Sequence, residues 1–208
     1  GTFQPDSMRA RCVRAREFAT EPWMMLGFSA YWAAGIGFER VKAGNFVRLF
    51  RHIGQGVDIF LIPQRMEDWE NYVREVMRVM GREIGGFVLW DNPDGTSTLA
   101  MPPEKFGKFL RIGDKWRRAY CPQTPLIIGG MNRATALPYL AELKKLGLLD
   151  TFQGVNIRMD VGRLSPEDSE VTRFARELSD LINPPGKREK ILYFTELDWA
   201  VEIGRAHV

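Results

Sequence analysis

Short apolar runs alternate along the chain with longer stretches in which apolar residues recur every three or four positions. The short runs are typical of buried β-strands, and the longer pattern predicts amphipathic α-helices. Their regular alternation favours βα units around a parallel sheet, so the predicted fold class is α/β. The predicted strands cover residues 23–30, 86–90, 125–129, 154–159 and 191–194.

The predicted helices carry start and stop signals. In residues 66–80 the apolar positions fall on one helical face, and Gly81 follows as a stop signal. Pro103 is expected to open another helix, because proline is tolerated in a first helical turn. Ser165, followed by Pro166 and two acidic residues, predicts a further helix start. The remaining predicted helices cover residues 9–18 and 134–146.

Residues 33–63 form a long segment with five glycines and no clean period over most of its length. Within it, a helix near residues 46–52 and a short strand near 57–62 are predicted. A connection of this length is usually functional or an insertion.

The strand spacing bears on domain organisation. Strand starts at residues 86, 125, 154 and 191 are 39, 29 and 37 residues apart, which fits consecutive βα units. We expect one domain over residues 1–201, incomplete at both ends, because a (β/α)₈ barrel typically needs about 250 residues. The last seven residues, EIGRAHV (202–208), resemble a translated sequencing adapter. We expect a non-native tail there, with an ordinary polar tail as the alternative.

Composition narrows the function classes. The net charge is only +3, and the one basic run, residues 9–16, is interpreted as a solvated helix face, so no nucleic-acid partner is predicted. No apolar run is long enough to span a membrane. Cys12 and Cys121 lack metal or redox spacing, and we predict no metal and no cofactor.

The first residue is glycine rather than methionine, which indicates a start inside a gene. Secreted and cytoplasmic locations both stay open.

The active site of a parallel α/β barrel lies at the carboxyl ends of its strands. Carboxylates, amides and aromatic rings follow the predicted strands, and this mixture suits a sugar ligand. For any single tryptophan, packing at the barrel mouth is an equal alternative. The predicted substrate-binding residues are Trp32, Trp90, Asn132, Arg158, Asp160 and Trp199.

Two segments carry a family resemblance. FVLWDNPDG (87–95) resembles the Trp-Asn-Glu-Pro motif after the fourth strand of clan A glycoside hydrolases, and ILYFTELDW (191–199) resembles the Thr-Glu-x-x-Trp motif after their seventh strand. TPLIIGGMN and LLDTFQGVNIRMD between them resemble the fifth and sixth strands, in the manner of the xylosidase and iduronidase relatives. The resemblance covers roughly residues 23–201. It implies a partial (β/α)₈ TIM barrel, approximately strands 3 to 7, and a retaining O-glycosyl hydrolase acting on a glycoside, oligosaccharide or polysaccharide.

The resemblance also implies residue roles. Glu196 matches the catalytic nucleophile, whereas Asn92 occupies the position of the acid/base glutamate and Asp91 that of the preceding asparagine. An amide cannot exchange a proton as this role requires. Arg158 replaces the histidine expected on the sixth strand.

Three accounts of this departure are open. Asp91 or Asp94 acts as acid/base instead, although alternation along a strand would point Asp91 and Asn92 to opposite faces. The barrel binds carbohydrate without catalysis. The substrate has a leaving group that needs no proton. Outside this family, a weaker reading is a phosphate-binding barrel that uses the backbone of Gly129 and Gly130.

Overall fold

The strands of the sheet follow one another in space in the same order as in the sequence. A computed structural model describes residues 5–27, 63, 65–95, 100–160, 170–186 and 189–198, and for residues 5, 160 and 195–198 it describes the backbone alone. In these ranges five strands form one sheet, and all pairs are parallel. The strands are β1 (Trp23–Leu26), β2 (Gly86–Leu89), β3 (Leu126–Asn132), β4 (Gly154–Asp160) and β5 (Ile191–Asp198).

Helices separate the strands along the chain. The described helices are α1 (Pro5–Glu17), α2 (Met66–Met80), α3 (Pro103–Tyr120), α4 (Arg133–Lys145) and α5 (Val171–Ile182), with a short 3₁₀ helix at Leu149–Thr151. Parallel neighbours need such crossovers, because a tight turn cannot join them. The predicted α/β class with a parallel sheet is therefore confirmed.

Several sequence predictions can be compared directly. Helix α2 has the predicted bounds, and helix α3 begins at Pro103 as expected. Helix α5 begins at Val171, after Glu170 in a left-handed conformation with φ of 54°. The start predicted at Ser165 lies outside the described residues, as do the elements predicted at 46–52 and 57–62 and the tail at 202–208.

One face of the sheet packs into the hydrophobic core with the helices. The register aligns Leu26, Leu89, Ile128 and Val155 across four strands, and all four side chains are fully buried. The apolar face of helix α2 is buried in the same core. Burial of a side chain of this size stabilises the fold by about 1.5–3 kcal/mol, so this row anchors the strands to the helix layer.

The opposite face of the sheet is concave. Trp23 on β1 and Tyr193 on β5 meet edge to face, with ring centroids 5.3 Å apart. These residues lie on the two outer strands of the described sheet, so the sheet curls strongly between them. Gly86, the register partner of Trp23, makes room for the indole, because a Cβ there would collide with the ring. Barrel closure requires curvature of this kind.

Three smaller features concern a tryptophan, the two cysteines and the length of the helices. Trp116 on α3 is only partly buried, and its Nε1 donates a hydrogen bond to Glu70 at 3.1 Å. Cys12 and Cys121 are free, buried thiols and do not form a disulfide with each other. In the described part of the chain, no helix is both long and apolar enough to cross a membrane.

Candidate functional site

An ion pair joins the carboxyl ends of β2 and β4. Arg158 Nη2 lies 2.9 Å from both carboxylate oxygens of Asp91. The Asp91 side chain is 15% exposed and that of Arg158 30%, so the pair is partly shielded from water. The guanidinium presents several donors, and a charge-assisted contact in such a setting is stronger than one at the surface. The ion pair therefore links the carboxyl ends of β2 and β4 and restricts the positions of both side chains.

Gly130 in β3 gives the Asp91 carboxylate its place. Its φ is 54°, a conformation that disfavours residues with a Cβ, and a Cβ at this position would collide with Asp91 Oδ1. A Cβ at Gly129 would likewise collide with the backbone carbonyl oxygen of Trp90. Because an anionic carboxylate fills the space beside Gly130, the weaker phosphate reading loses support here.

Asn92 is held by a neighbouring amide. The Nδ2 group of Asn132 donates a hydrogen bond to Asn92 Oδ1, which fixes the direction of the Asn92 side chain. Asn92 has a φ of 52°, and asparagine adopts this left-handed conformation more readily than most residues. With its oxygen turned to Asn132, the Asn92 Nδ2 group can only donate hydrogen bonds.

Asp94 is committed to the start of helix α4. Its carboxylate accepts hydrogen bonds from the Asn132 backbone N–H at 3.0 and 3.2 Å and from Thr135 Oγ1 at 2.7 Å. A negative charge at this position interacts favourably with the dipole at the amino end of helix α4. Burial raises the pKa of Asp94, and the hydrogen bond from Thr135 opposes that rise. The residue is only 7% exposed, which does not suit an acid/base in contact with substrate.

Trp90 packs in the core. It is fully buried, and its ring meets those of Trp69 at 5.8 Å and Phe109 at 5.5 Å. These neighbours belong to helices α2 and α3, so the ring faces the helix layer and has no free face for a sugar. The substrate-binding role predicted for Trp90 is not supported, and the packing alternative is. The physical reason is its φ of 61°, which interrupts the alternation of side chains beyond β2.

The nucleophile candidate lies on the last described strand. The backbone of Glu196 pairs in register with Arg158, after an irregularity between Ile157 and Arg158. Asp160 pairs with Asp198 two residues further along. The structure therefore brings the backbone of Glu196 to the sheet end where Asp91, Asn92 and Asn132 lie. Trp32 and Trp199 lie outside the described residues.

The amino ends of the strands carry a second polar region. A cavity of about 310 Å³ is lined there by Arg117, Arg118, Asp150 and Lys190, among others. Arg117 donates to Asp114 Oδ1 at 2.9 Å and to the carbonyl of Pro122 at 2.8 Å. The bond to Pro122 joins helix α3 to the segment that leads into β3.

Two features of the site were not predicted as such. The sequence named Gly130 only as a possible phosphate contact, and its role beside Asp91 depends on a contact that no local pattern reveals. The Trp23–Tyr193 pair spans the concave face. The sequence feature that could have indicated the position of the Trp23 ring is Gly86, a glycine at the start of a predicted buried strand. A glycine in a strand often marks a close approach of another group.

This geometry can be compared with known proteins. The structure is similar to that of a family 39 glycoside hydrolase from the gut symbiont Bacteroides cellulosilyticus WH2, with a TM-score of 0.65 and 16% sequence identity. The match covers 96% of this chain and 40% of that chain. The chain thus spans less than half of the matched protein, and at this identity the likeness shows a shared fold. No protein-family model and no curated protein matches the sequence.

Proposed function

We propose that this chain is part of a glycosidase-type barrel that acts on a carbohydrate by a retaining mechanism, with Glu196 as the nucleophile. The observation that carries the proposal is the register of β4 with β5. It pairs Glu196 with Arg158, whose guanidinium holds Asp91 next to Asn92. The two segments that resemble the acid/base and nucleophile motifs therefore end at the same edge of the sheet.

A retaining mechanism needs its two catalytic positions about 5–5.5 Å apart, on either side of the scissile bond. Strands β2 and β5 are separated by two strands in a strongly curved sheet. This arrangement supports a pair of positions that face each other across a barrel mouth. The likeness to a glycoside hydrolase fold supports the same assignment.

The roles of the other residues follow from their contacts. Arg158 and Asp91 would form the floor of the site, and the hydrogen bond from Asn132 would fix the orientation of the Asn92 side chain. Asn132, Arg158 and Asp160 remain candidates for substrate hydrogen bonds, as do the rings of Trp32 and Trp199 for stacking. The amide of Asn92 occupies the position where the family motif has a proton donor, and an amide cannot take that role. In this proposal Glu196 is therefore the one group of the two that acts as a catalytic carboxylate.

The test is an intact-mass measurement on the protein at its full natural length after incubation with a panel of activated 2-fluoro-glycosides. We expect a covalent glycosyl adduct on the tryptic peptide that begins at Ile191, after Lys190. Glu196→Gln should abolish the adduct. Glu142→Gln, an exposed helical position, serves as the matched control and should leave it unchanged. An undiminished adduct in Glu196→Gln would overturn the assignment.

A second candidate is a carbohydrate-binding barrel without turnover. It is favoured by the amide at Asn92 and by the commitment of Asp94 to helix α4. Two results together would support this candidate over the lead proposal. Isothermal titration calorimetry would show sugar binding, and no 2-fluoro-glycoside would form a covalent adduct.

A further inference from the structure

The described carboxylates near Asn92 are both engaged in other contacts. Asp91 binds Arg158 through both of its oxygens, and an ionised carboxylate can only accept hydrogen bonds. Asp94 is buried and accepts bonds from the Asn132 N–H and Thr135. Neither group can approach the leaving-group oxygen of a bound glycoside without giving up these partners. The account in which Asp91 or Asp94 replaces the missing acid therefore loses its structural basis.

Asn92 itself offers a donor that does not transfer its proton. Its Oδ1 accepts the hydrogen bond from Asn132, and its Nδ2 group can donate hydrogen bonds but does not release a proton. An amide N–H can stabilise negative charge on a departing atom, as donors in an oxyanion hole do. It cannot neutralise an alkoxide by protonation. The site thus suits a leaving group that is already stable as an anion.

We infer that the substrates of this site are glycosides whose aglycone departs as a stable anion, such as a phenolate, thiolate, carboxylate or phosphate, rather than simple alkyl glycosides or sugar–sugar linkages. The inference rests on the proposed function, because it needs Glu196 as the nucleophile. It adds the class of leaving group, which follows from the contacts of Asp91, Asn92 and Asp94.

The reaction balances without an acid. A carboxylate oxygen of Glu196 attacks the anomeric carbon, and the bond from that carbon to the aglycone breaks with its electron pair leaving on the aglycone. Water then attacks the anomeric carbon of the glycosyl ester, the bond to Glu196 breaks, and the carboxylate is restored. The proton lost by water passes to solvent or to the released anion. No group at Asn92 can remove this proton, so the second step is slow.

The test compares two series of glycosides of the same pyranoses, in both anomers, on the protein at its full natural length. One series carries 2,4-dinitrophenyl as the aglycone and the other carries methyl. We expect a burst of dinitrophenolate followed by slow turnover, which is typical of an accumulating covalent intermediate. Added azide should accelerate turnover and yield glycosyl azide, since it needs no general base. The methyl series should be cleaved at least about 10²–10⁴-fold more slowly than the dinitrophenyl series, because this is the usual contribution of a general acid.

Two variants restore a carboxyl group. Asn92→Asp keeps a residue that tolerates the left-handed backbone, and Asn92→Glu has the side-chain length of the family motif. At least one should raise cleavage of the methyl series by about 10²–10⁴-fold and remove the azide effect. Circular dichroism and urea unfolding check that both variants fold.

The outcomes separate the two proposals. Equal cleavage of both series by the unaltered protein would overturn the inference but keep the proposed function, since it would reveal another proton donor such as Asp160 or Asp198. Folded Asn92→Asp and Asn92→Glu variants without any gain would also overturn it. No cleavage in either series, together with no adduct on the peptide that contains Glu196, would overturn the proposed function itself.

Discussion

The two ends of the sheet both carry an aspartate–arginine pair, but the pairs are built differently. At the amino end Asp114 and Arg117 are one helical turn apart on α3, and their side chains are 10% and 9% exposed. At the carboxyl end Asp91 and Arg158 are 67 residues apart and come from different strands. The first pair is local and deeply buried, whereas the second depends on the tertiary fold and remains within reach of a ligand.

Three residues near the carboxyl ends of β2 and β3 share an unusual backbone conformation. Trp90, Asn92 and Gly130 at the carboxyl end all have positive φ values, between 52° and 61°. Such conformations cost of order 1–2 kcal/mol each for a residue with a Cβ, and they cluster at functional sites. The left-handed residues Trp90 and Asn92 therefore lie beside the ion pair of Asp91 with Arg158.

The largest expected effect comes from Gly130→Ala at the carboxyl end. The new methyl group must displace Asp91 and also adopt a left-handed backbone, so we expect a loss of about 2–5 kcal/mol in unfolding free energy. Gly147→Ala is the matched control, because its φ is 67° but no atom lies within 4 Å of the new Cβ. Urea unfolding should show a loss of only about 1–2 kcal/mol there. Equal losses would mean that Asp91 does not constrain Gly130.

Arg117→Met tests the amino end. It leaves the buried Asp114 carboxylate with Arg118 as its remaining arginine partner, and we expect destabilisation by about 2–4 kcal/mol. Arg118→Met is the control, since that side chain is 61% exposed and its ion pair is worth about 1 kcal/mol or less. The rate of adduct formation at Glu196 should not change in either variant. Slower adduct formation in a folded Arg117→Met variant would show that the pair of Asp114 and Arg117 also affects the proposed site.

A double-mutant cycle measures the pair at the carboxyl end. Asp91→Asn and Arg158→Met should each lower the unfolding free energy, and the double variant should lose less than their sum, with a coupling of about 1–3 kcal/mol. Arg158→Lys keeps the charge but not the planar guanidinium. We expect its free energy of unfolding to lie between those of the unaltered protein and Arg158→Met. Additive losses would indicate that Asp91 and Arg158 do not stabilise each other.

The smallest expected effect is the pH dependence from Asp94. Because burial raises its folded pKa above the unfolded value, the folded protein binds this proton more tightly. The resulting stability is present below about pH 4 and is lost as the pH rises through the folded pKa. The stability of the unaltered protein relative to Asp94→Asn should therefore decline from pH 4 to pH 7. A difference that grows with pH would show that the hydrogen bonds from Thr135 and Asn132 outweigh burial.

The sequence was sufficient for elements with a strong local signal. Helix α2 could be predicted to the residue because its apolar face repeats cleanly, and helix α3 could be placed because Pro103 marks its start. The contacts of the site could not be predicted. The ion pair of Asp91 with Arg158 depends on the register of three strands. Trp90 was a candidate for sugar binding because it follows a strand at its carboxyl end, whereas its ring packs in the core against Trp69.

The Trp23–Tyr193 contact has a consequence for how the chain folds. Each strand pairs with its predecessor in sequence, so most of the sheet can assemble stepwise as each βα unit emerges during synthesis. The contact of these two rings, in contrast, closes a loop of 170 residues and must wait for the last described strand. Its loop-closure entropy is larger than that of any single strand pairing. We therefore expect curling of the sheet to come late in folding, after the strands that precede β5 have paired.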